Sequence, residues 1–213
     1  MNENNPTTRK QIMTMLRKRG AMSAHEIAKE LGISDIAVRR HLNTLERDQI
    51  ARVDIVRQAM GRPTYMYSLT EQAEDLFPKK YADITLEILN DVAELQGPEM
   101  IDALFERREE RLEQKYKERM KEAKELETLV HELAKIQEER GYMAEWRKDD
   151  SQPQPKYWIT EHNCPIHSIA QNFNQACSSE LSLFRKVLGA EVEQLECKAK
   201  GGQRCVYEVK PKG

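Results

Sequence analysis

The sequence predicts a mostly helical α+β protein: an N-terminal three-helix unit closed by a β-hairpin, long central helices, and a small C-terminal α/β domain that ends in a second hairpin. Three observations predict it. Apolar residues recur at helical spacing in three short segments before Asp48, and β-rich runs then flank Gly61-Arg62-Pro63. The stretch 99–140 contains no glycine or proline, and every cysteine lies in the last fifty residues. A chain of 213 residues has room for about two cores. Shifts in composition divide it at 1–78, 79–148 and 149–213.

Thr7 and Thr8 are N-cap candidates for a first helix with Ile12, Met15 and Leu16 on one face and Gly20 at its end. Ser23 caps a second helix carrying Ile27, Ala28 and Leu31. Gly32 supplies a tight turn, and Ser34 caps a third helix that turns Val38, Leu42 and Leu45 inward. Helix, short glycine turn, helix is the helix-turn-helix pattern. Residues 50–56 and 64–69 read as two strands about a basic Gly-Pro tip, which makes a wing, and a further helix is expected from Thr70.

Residues 81–96 read as an amphipathic helix stopped by Gly97-Pro98. Beyond it, Leu112, Tyr116, Arg119, Ala123, Leu126, Val130, Leu133 and Gln137 are spaced alternately four and three apart. That is a coiled-coil seam interrupted by Arg119 and Gln137, so 99–140 is expected to be a dimerisation helix; packing on its own domain is the competing reading. Residues 149–155 read as a polar loop, 157–160 as a strand, 167–188 as a helix ended by Gly189, and 191–209 as a hairpin about Gly201-Gly202.

Charge separates the parts. The totals nearly balance, 34 basic against 36 acidic residues, but arginines and lysines crowd the first third. With its apolar stripe buried, the third helix leaves Asp35, Ala37, Arg39, Arg40, Asn43 and Arg47 outward or at the margins. Arg39 and Arg40 are the first candidates for base or phosphate contact, with His41 and Asn43 second. Arg57, Arg62 and the tip Gly61-Arg62-Pro63 give a second positive probe suited to the phosphate backbone or minor groove. These features imply a double-stranded DNA operator bound by a homodimer. Nothing at the N-terminus has the order of a signal peptide and no run approaches the roughly 18 apolar residues of a membrane span, so a cytoplasmic protein without membrane partners is expected. No nucleotide loop, catalytic triad or acid pair argues for an enzyme.

Cys164, Cys177, Cys197 and Cys205 ask for a local explanation. In a reducing compartment, clustered cysteines point to metal or redox chemistry before a disulfide framework. Tight C-x-x-C knuckles are absent, which disfavours zinc. Leu195, Cys197 and Ala199 share one strand face, as do Cys205, Tyr207 and Val209. If these faces coincide, the loop Lys200-Gly201-Gly202 sets Cys197 opposite Cys205, and four thiolates could hold an iron-sulfur cluster. His25 and His131 read as surface residues, Trp146 and Trp158 as packing anchors.

The segments Ser23-Ala24-His25-Glu26-Ile27-Ala28, Ile36-Ala37-Val38-Arg39-Arg40-His41-Leu42 and Gly61-Arg62-Pro63-Thr64-Tyr65-Met66-Tyr67 resemble the winged-helix domains of bacterial repressors of the ArsR and DeoR group. With Glu161-His162-Asn163-Cys164-Pro165-Ile166, the run after Cys177, and Gly201-Gly202-Gln203-Arg204-Cys205-Val206-Tyr207, the chain is similar nearly throughout to the SufR family. That resemblance implies a winged-helix repressor that holds an iron-sulfur cluster, 4Fe-4S in preference to 2Fe-2S, and governs cluster-assembly genes. It assigns Cys164, Cys177 and Cys205 as ligands. The fourth is Cys197, His162, His167 or a non-protein group. The same C-terminal pattern also resembles the small-molecule domain named after vinyl reductase, so an organic effector or simple thiol oxidation is the alternative signal.

Overall fold

Three hydroxyl caps fix the N-terminal helices. Thr7 accepts from the Lys10 amide ahead of α1 (Thr8–Arg19). Ser23 and Glu26 form a reciprocal capping box on α2 (Ala24–Leu31), with Glu26 N to Ser23 Oγ at 3.2 Å and Ser23 N to Glu26 Oε2 at 2.7 Å. Ser34 accepts from the Ala37 amide at 3.2 Å to open α3 (Asp35–Arg47). Between them Gly32 takes φ 67°, a left-handed conformation that a side chain resists. The computed structural model describes residues 7–57, 62–151 and 154–212. It divides into two compact units between Lys79 and Lys80.

In the first unit, β1 (Met22–Ser23), β2 (Ala51–Val56) and β3 (Thr64–Leu69) form a three-stranded antiparallel sheet in the order β1-β3-β2. Ala51 pairs with Leu69 and Val56 with Thr64, so β2 and β3 are the two arms of the wing. Ile12, Leu16, Ile27, Val38, Leu42, Leu45 and Tyr67 meet in one core. This is a winged helix. Gly61, expected at the wing tip, lies outside the described residues. The helix expected after Thr70 is a single 3-10 stretch, Glu71–Leu76, without a side-chain cap. The Thr70 hydroxyl is engaged elsewhere: it donates to the carbonyl of Gln49 at 2.6 Å and supports that residue's left-handed φ of 59°.

The second unit begins with α4 (Tyr81–Gln96), which Gly97 stops before Pro98 opens α5 (Pro98–Arg119). The continuous helix expected over 99–140 is broken. The chain leaves the helix at Met120 and re-enters at α6 (Leu126–Glu139). Every residue of the break favours helix, so tertiary packing overrides local propensity here. By turning, the chain brings Tyr116 and Met120 of α5 and Val130, Leu133 and Ile136 of α6 into one core. The seam read as a dimer coiled coil is therefore the inner face of this unit, with Val130 and Leu133 fully buried in a single chain.

That core covers a four-stranded antiparallel sheet in the order β4-β5-β7-β6, built from β4 (Ala144–Asp149), β5 (Lys156–Glu161), β6 (Glu191–Glu196) and β7 (Cys205–Lys210). The strand β4 lies where no strand is expected, and it pairs along its length with β5. The single helix expected over 167–188 is two, α7 (His167–Asn172) and α8 (Gln175–Leu188). Phe173 goes extended between them and packs with Ile101, Phe105, Ala170 and Ala176 in a second, smaller core. Two asparagines flank it, and asparagine is a poor helix former that readily leaves a helix.

Candidate nucleic-acid interface and C-terminal thiols

Helical spacing and burial agree on the two faces of α3. Val38, Leu42 and Leu45 are fully buried, while Ile36, Arg40, Asn43 and Arg47, spaced four, three and four, line the opposite, exposed face. Arg39 is exposed at the margin of that face, and His41 is half-buried on the flank. Among the described residues the guanidinium groups of Arg39 and Arg40 make no ion pair, whereas Arg47 lies 3.5 Å from Asp48. Ile36 escapes a reading based on charge, yet it is 81% exposed at the leading turn of the helix. An apolar side chain there suits a thymine methyl in the major groove. Arg57, just past β2, and Arg62, just before β3, are both exposed on the wing.

The cysteines occupy one end of the second sheet and the helices against it. Cys164 follows β5, Cys177 is in the first turn of α8, Cys197 follows β6, and Cys205 begins β7 opposite Glu161. Cys197 does not pair with Cys205 in the ladder. The bulge between Gln194 and Glu196 sets Glu196 opposite Val206, one step short of the expected Cys197–Cys205 pair, but the ladder stops there: β6 ends at Glu196 and Cys197 leads into the short 3-10 turn Lys198–Lys200. Its sulfur instead lies 3.8 Å from that of Cys177, and the Lys198 amide donates to Cys205 Sγ at 3.4 Å. Gly202 closes the turn: a Cβ there would fall 2.9 Å from the Cys197 carbonyl oxygen.

A polar network lies under these thiols. Tyr116 donates to Gln137 Oε1 at 3.0 Å, and Gln137 Nε2 donates to Glu161 Oε1 at 2.7 Å and to Glu180 Oε1 at 3.5 Å. Tyr207 donates to Glu180 Oε2 at 3.2 Å. The other oxygen of Glu161 is buried without a hydrogen-bond partner. Burial first, and the Glu180 carboxyl second, push the Glu161 pKa well up, and burial raises that of Glu180. Glu180 keeps some exposed surface as a residue, but its carboxyl is enclosed by this network. Gln137, which interrupts the apolar seam in sequence, is the hub of the network.

Burial, followed by the neighbouring Cys197, pushes the Cys177 thiol up to about 12. Burial also raises Cys205 to about 12 against the opposing Lys198 amide, and it raises Cys164. The donors themselves suit a thiophilic centre: four sulfurs from four elements, beside a carboxylate oxygen with no partner. Their arrangement does not amount to a finished cage. Among the described residues no three His, Cys, Asp or Glu side chains are grouped closely enough to hold a metal ion. His162 faces Glu145 at 3.5 Å, and His167 Nδ1 is buried without a partner. No helix among the described residues is long and apolar enough to cross a membrane.

Residues 7–47, from the cap of α1 to the end of α3, match the family model described as PF0610-like, N-terminal. The probable C4-dicarboxylate response regulator DctR of Bacillus subtilis (strain 168) is 36% identical over 66 residues, which cover 30% of this chain and 29% of that protein. The match thus spans less than a third of this curated relative. Similar solved structures include the Zalpha domain of Carassius auratus PKZ in complex with Z-DNA, 28% identical, with 30% of this chain and 92% of that chain covered and a TM-score of 0.24. They also include the adhesin competence repressor AdcR of Streptococcus pyogenes, 23% identical, with 48% and 78% covered and a TM-score of 0.31.

Proposed function

We propose that the protein is a DNA-binding transcription regulator. Its winged helix docks α3 in the major groove of an operator, and its second unit senses iron-sulfur cluster or redox status through Cys164, Cys177, Cys197 and Cys205. The observation that carries the DNA reading is the outward face of α3, where Arg40, Asn43 and Arg47 align with exposed Ile36. A folded core needs none of these side chains, and base edges can use all of them. The wing arginines Arg57 and Arg62 add phosphate contacts. The match to a protein named as a response regulator supports the same reading.

The regulator acts as a homodimer on a two-fold operator, with half-sites about one turn, 10–10.5 bp, apart. Because the Leu112 to Gln137 seam is consumed inside one chain, the dimer face proposed is the exposed stripe Ile84, Ile88 and Leu95 of α4, set at coiled-coil spacing.

In the sensing unit the four thiols are the ligands, and a cluster bound to them would cross-link β5, α8 and the β6–β7 turn. Glu161 and Glu180 lie beside the thiols as further would-be anions, and burial raises these two carboxyls and the thiols of Cys164, Cys177 and Cys205, a penalty on the charged forms that a cationic centre would offset. A small-molecule effector in place of a cluster is the second reading, favoured by an apolar cleft in the same unit. Metal-free thiol oxidation ranks below these because burial holds Cys177 and Cys205 in the protonated form, and the thiolate is the species that reacts.

The test is direct. Operator sequences selected from random DNA should bind the parent protein, and Arg40→Ala should weaken that binding about 5- to 150-fold, the equivalent of about 1–3 kcal/mol for one base contact. Iron and sulfide analysis of protein prepared without oxygen decides between cluster and effector.

A further inference from the structure

A cleft of about 270 Å³ opens between α4, α5 and the start of α7, floored by Leu89, Phe105, Ile166 and Ile169 and rimmed by Arg108 and Arg111. Among the described residues no carboxylate lines it. Arg108 is half-buried and Arg111 exposed, and neither makes a hydrogen bond or ion pair among the described residues. Other cations of α5 and α8 are engaged: Lys186 pairs with Glu109 at 2.8 Å and Lys117 with Glu113 at 2.5 Å. A guanidinium held partly out of water over an apolar floor, felt at longer range by the Glu180 carboxyl but with no carboxylate in ion-pairing contact among the described residues, is an incomplete arrangement. Such groups are normally paired, and a planar fork of donors matches a carboxylate in bidentate fashion.

From the half-buried Arg108, which makes no hydrogen bond or ion pair among the described residues, and the acid-free apolar floor of this cleft, we propose that it is a receptor site for a small apolar carboxylic acid, whose carboxylate pairs with Arg108 and whose hydrocarbon part lies on Leu89, Phe105, Ile166 and Ile169. The volume sits just below the roughly 300–1,000 Å³ of ligand pockets, so the ligand is a short-chain or single-ring acid. Arg111, at the mouth, supplies the long-range attraction for an anion.

The position of the cleft gives such a ligand a route to regulation. No residue of α4 is buried. The helix leans on the second core through the half-buried Leu86, Leu89, Val92 and Ala93 alone. An element held by so little apolar contact belongs to the low-stability end of a fold. A molecule wedged between Leu89 and Ile169 adds contacts to α4, the helix that directly follows the winged helix in the chain. On the other side, Ile166 lies two residues from Cys164, so occupancy of the cleft bears on the thiol end as well. The proposal gives the ligand class for the small-molecule reading above, and its test needs neither DNA nor a cluster.

The experiment is calorimetric titration of the full chain with hexanoate and with its neutral isostere hexanamide, with methyl NMR of the isoleucines as the site readout. Hexanoate should bind saturably, at least about tenfold tighter than hexanamide, as expected for a charge-assisted bond, and should move the methyl signals of Ile166 and Ile169. Arg108→Gln should weaken hexanoate about tenfold or more and leave hexanamide unchanged. Leu104→Glu, which places a carboxylate at a lining position that is 40% exposed in the parent, should abolish hexanoate binding. Arg107→Gln, on the same helix but outside the cleft, should do nothing. Equal affinities for hexanoate and hexanamide, an Arg108→Gln variant that binds hexanoate like the parent, or no saturable binding in the millimolar range would each overturn the proposal. A parent protein that binds hexanoate but no DNA, with or without ligand, would overturn only the regulator reading.

Discussion

Gln137 of α6 donates to Glu161 at the end of β5 over 2.7 Å, and among the described residues this bond is all that partners the carboxyl of a residue 1% exposed. The second oxygen of Glu161 has nothing. Beside it, Glu180 is held by Tyr207 and, at longer range, by the same Gln137. Two carboxyls that are far apart in sequence thus share one dry pocket at the thiol end of the sheet, and neither can ionise there without cost.

The sign of the resulting pH dependence follows. Both folded-state pKa values are raised above the ordinary carboxylate range, so the folded chain holds these protons more tightly than the unfolded one. The stability they contribute is fully present below about pH 4.3, the ordinary glutamate value, and is lost as pH rises through the raised values. In metal-free protein, Glu161→Gln removes the titration and keeps the acceptor for Gln137. Its urea midpoint should exceed that of the parent at pH 8, by about 1–3 kcal/mol in stability, and equal it at pH 4. Identical midpoints at both pH values would refute the account of this pair.

Burial of the central seam makes a second expectation. Leu133→Asp places a charge at a fully buried position and should cost about 3–5 kcal/mol. It should unfold the second unit while the winged helix keeps its own transition in a thermal melt. Ile84→Asp with Ile88→Asp lies on the exposed stripe of α4, where both residues are 54% exposed. That pair should leave both melts intact and halve the mass measured by light scattering. If instead Leu133→Asp gives a folded monomer, the seam joins two chains.

How much of this could be read from sequence differs by element. The caps Ser23 and Ser34, the Gly32 turn and the stripe Val38, Leu42, Leu45 announce α2 and α3 because local chemistry and the final packing agree there. The outward arginines follow from the same spacing. In β4 only Trp146 offers a large apolar side chain among charged neighbours, so nothing local marks a strand whose main-chain pairing with β5 defines it. The turn at Met120–Glu125 is invisible for the opposite reason: its residues favour helix, and only the need to lay Tyr116 and Leu133 on one sheet breaks it. The cysteines fall on elements that meet at one end of the sheet, but among the described residues no three such side chains are grouped closely enough to hold a metal ion. The approach of the Cys197 sulfur to that of Cys177 goes with the 3-10 turn that ends the ladder after Glu196, which alternation alone cannot reveal.

On the DNA side, the faces of α3 and the wing make different contributions. Ile36→Ala should weaken operator binding by about 1 kcal/mol, roughly fivefold, and relax discrimination at one base pair, as expected for contact with a thymine methyl. Arg62→Ala should weaken selected and random DNA alike and reduce the salt slope by about one. Anisotropy titrations at several salt concentrations check both. A sequence-dependent effect from Arg62 would move the wing from phosphate to base contact.

Gly202 tests the turn that places Cys197. A Cβ at this position meets Glu196 Cγ at 2.7 Å and the Cys197 carbonyl oxygen at 2.9 Å, and the latter is backbone that cannot simply swing away. Gly202→Ala should therefore destabilise the second unit by about 1–3 kcal/mol and make Cys197, 8% exposed in the parent, react faster with a disulfide reagent. An unchanged rate would show that the turn absorbs the methyl without moving the cysteine.

The thiols give the final expectation. In metal-free protein Cys177 and Cys205 are held at about 12 by burial, so at pH 8 each is almost wholly protonated, and the thiolate is the species that alkylates. Iodoacetamide should label both far more slowly than it labels an unfolded peptide of the same sequence, and the rate should climb steadily with pH up to the edge of unfolding. A cation bound among the sulfurs reverses the electrostatics, since it favours the charged form that burial penalises. Protein prepared without oxygen and loaded with iron and sulfide should therefore release protons on loading and resist alkylation because its thiolates are occupied. Cys177→Ser should lose most of the cluster absorption. If the metal-free thiols alkylate rapidly at pH 8, they are already ionised in the fold, and direct thiol oxidation becomes the better account of what this end of the sheet senses.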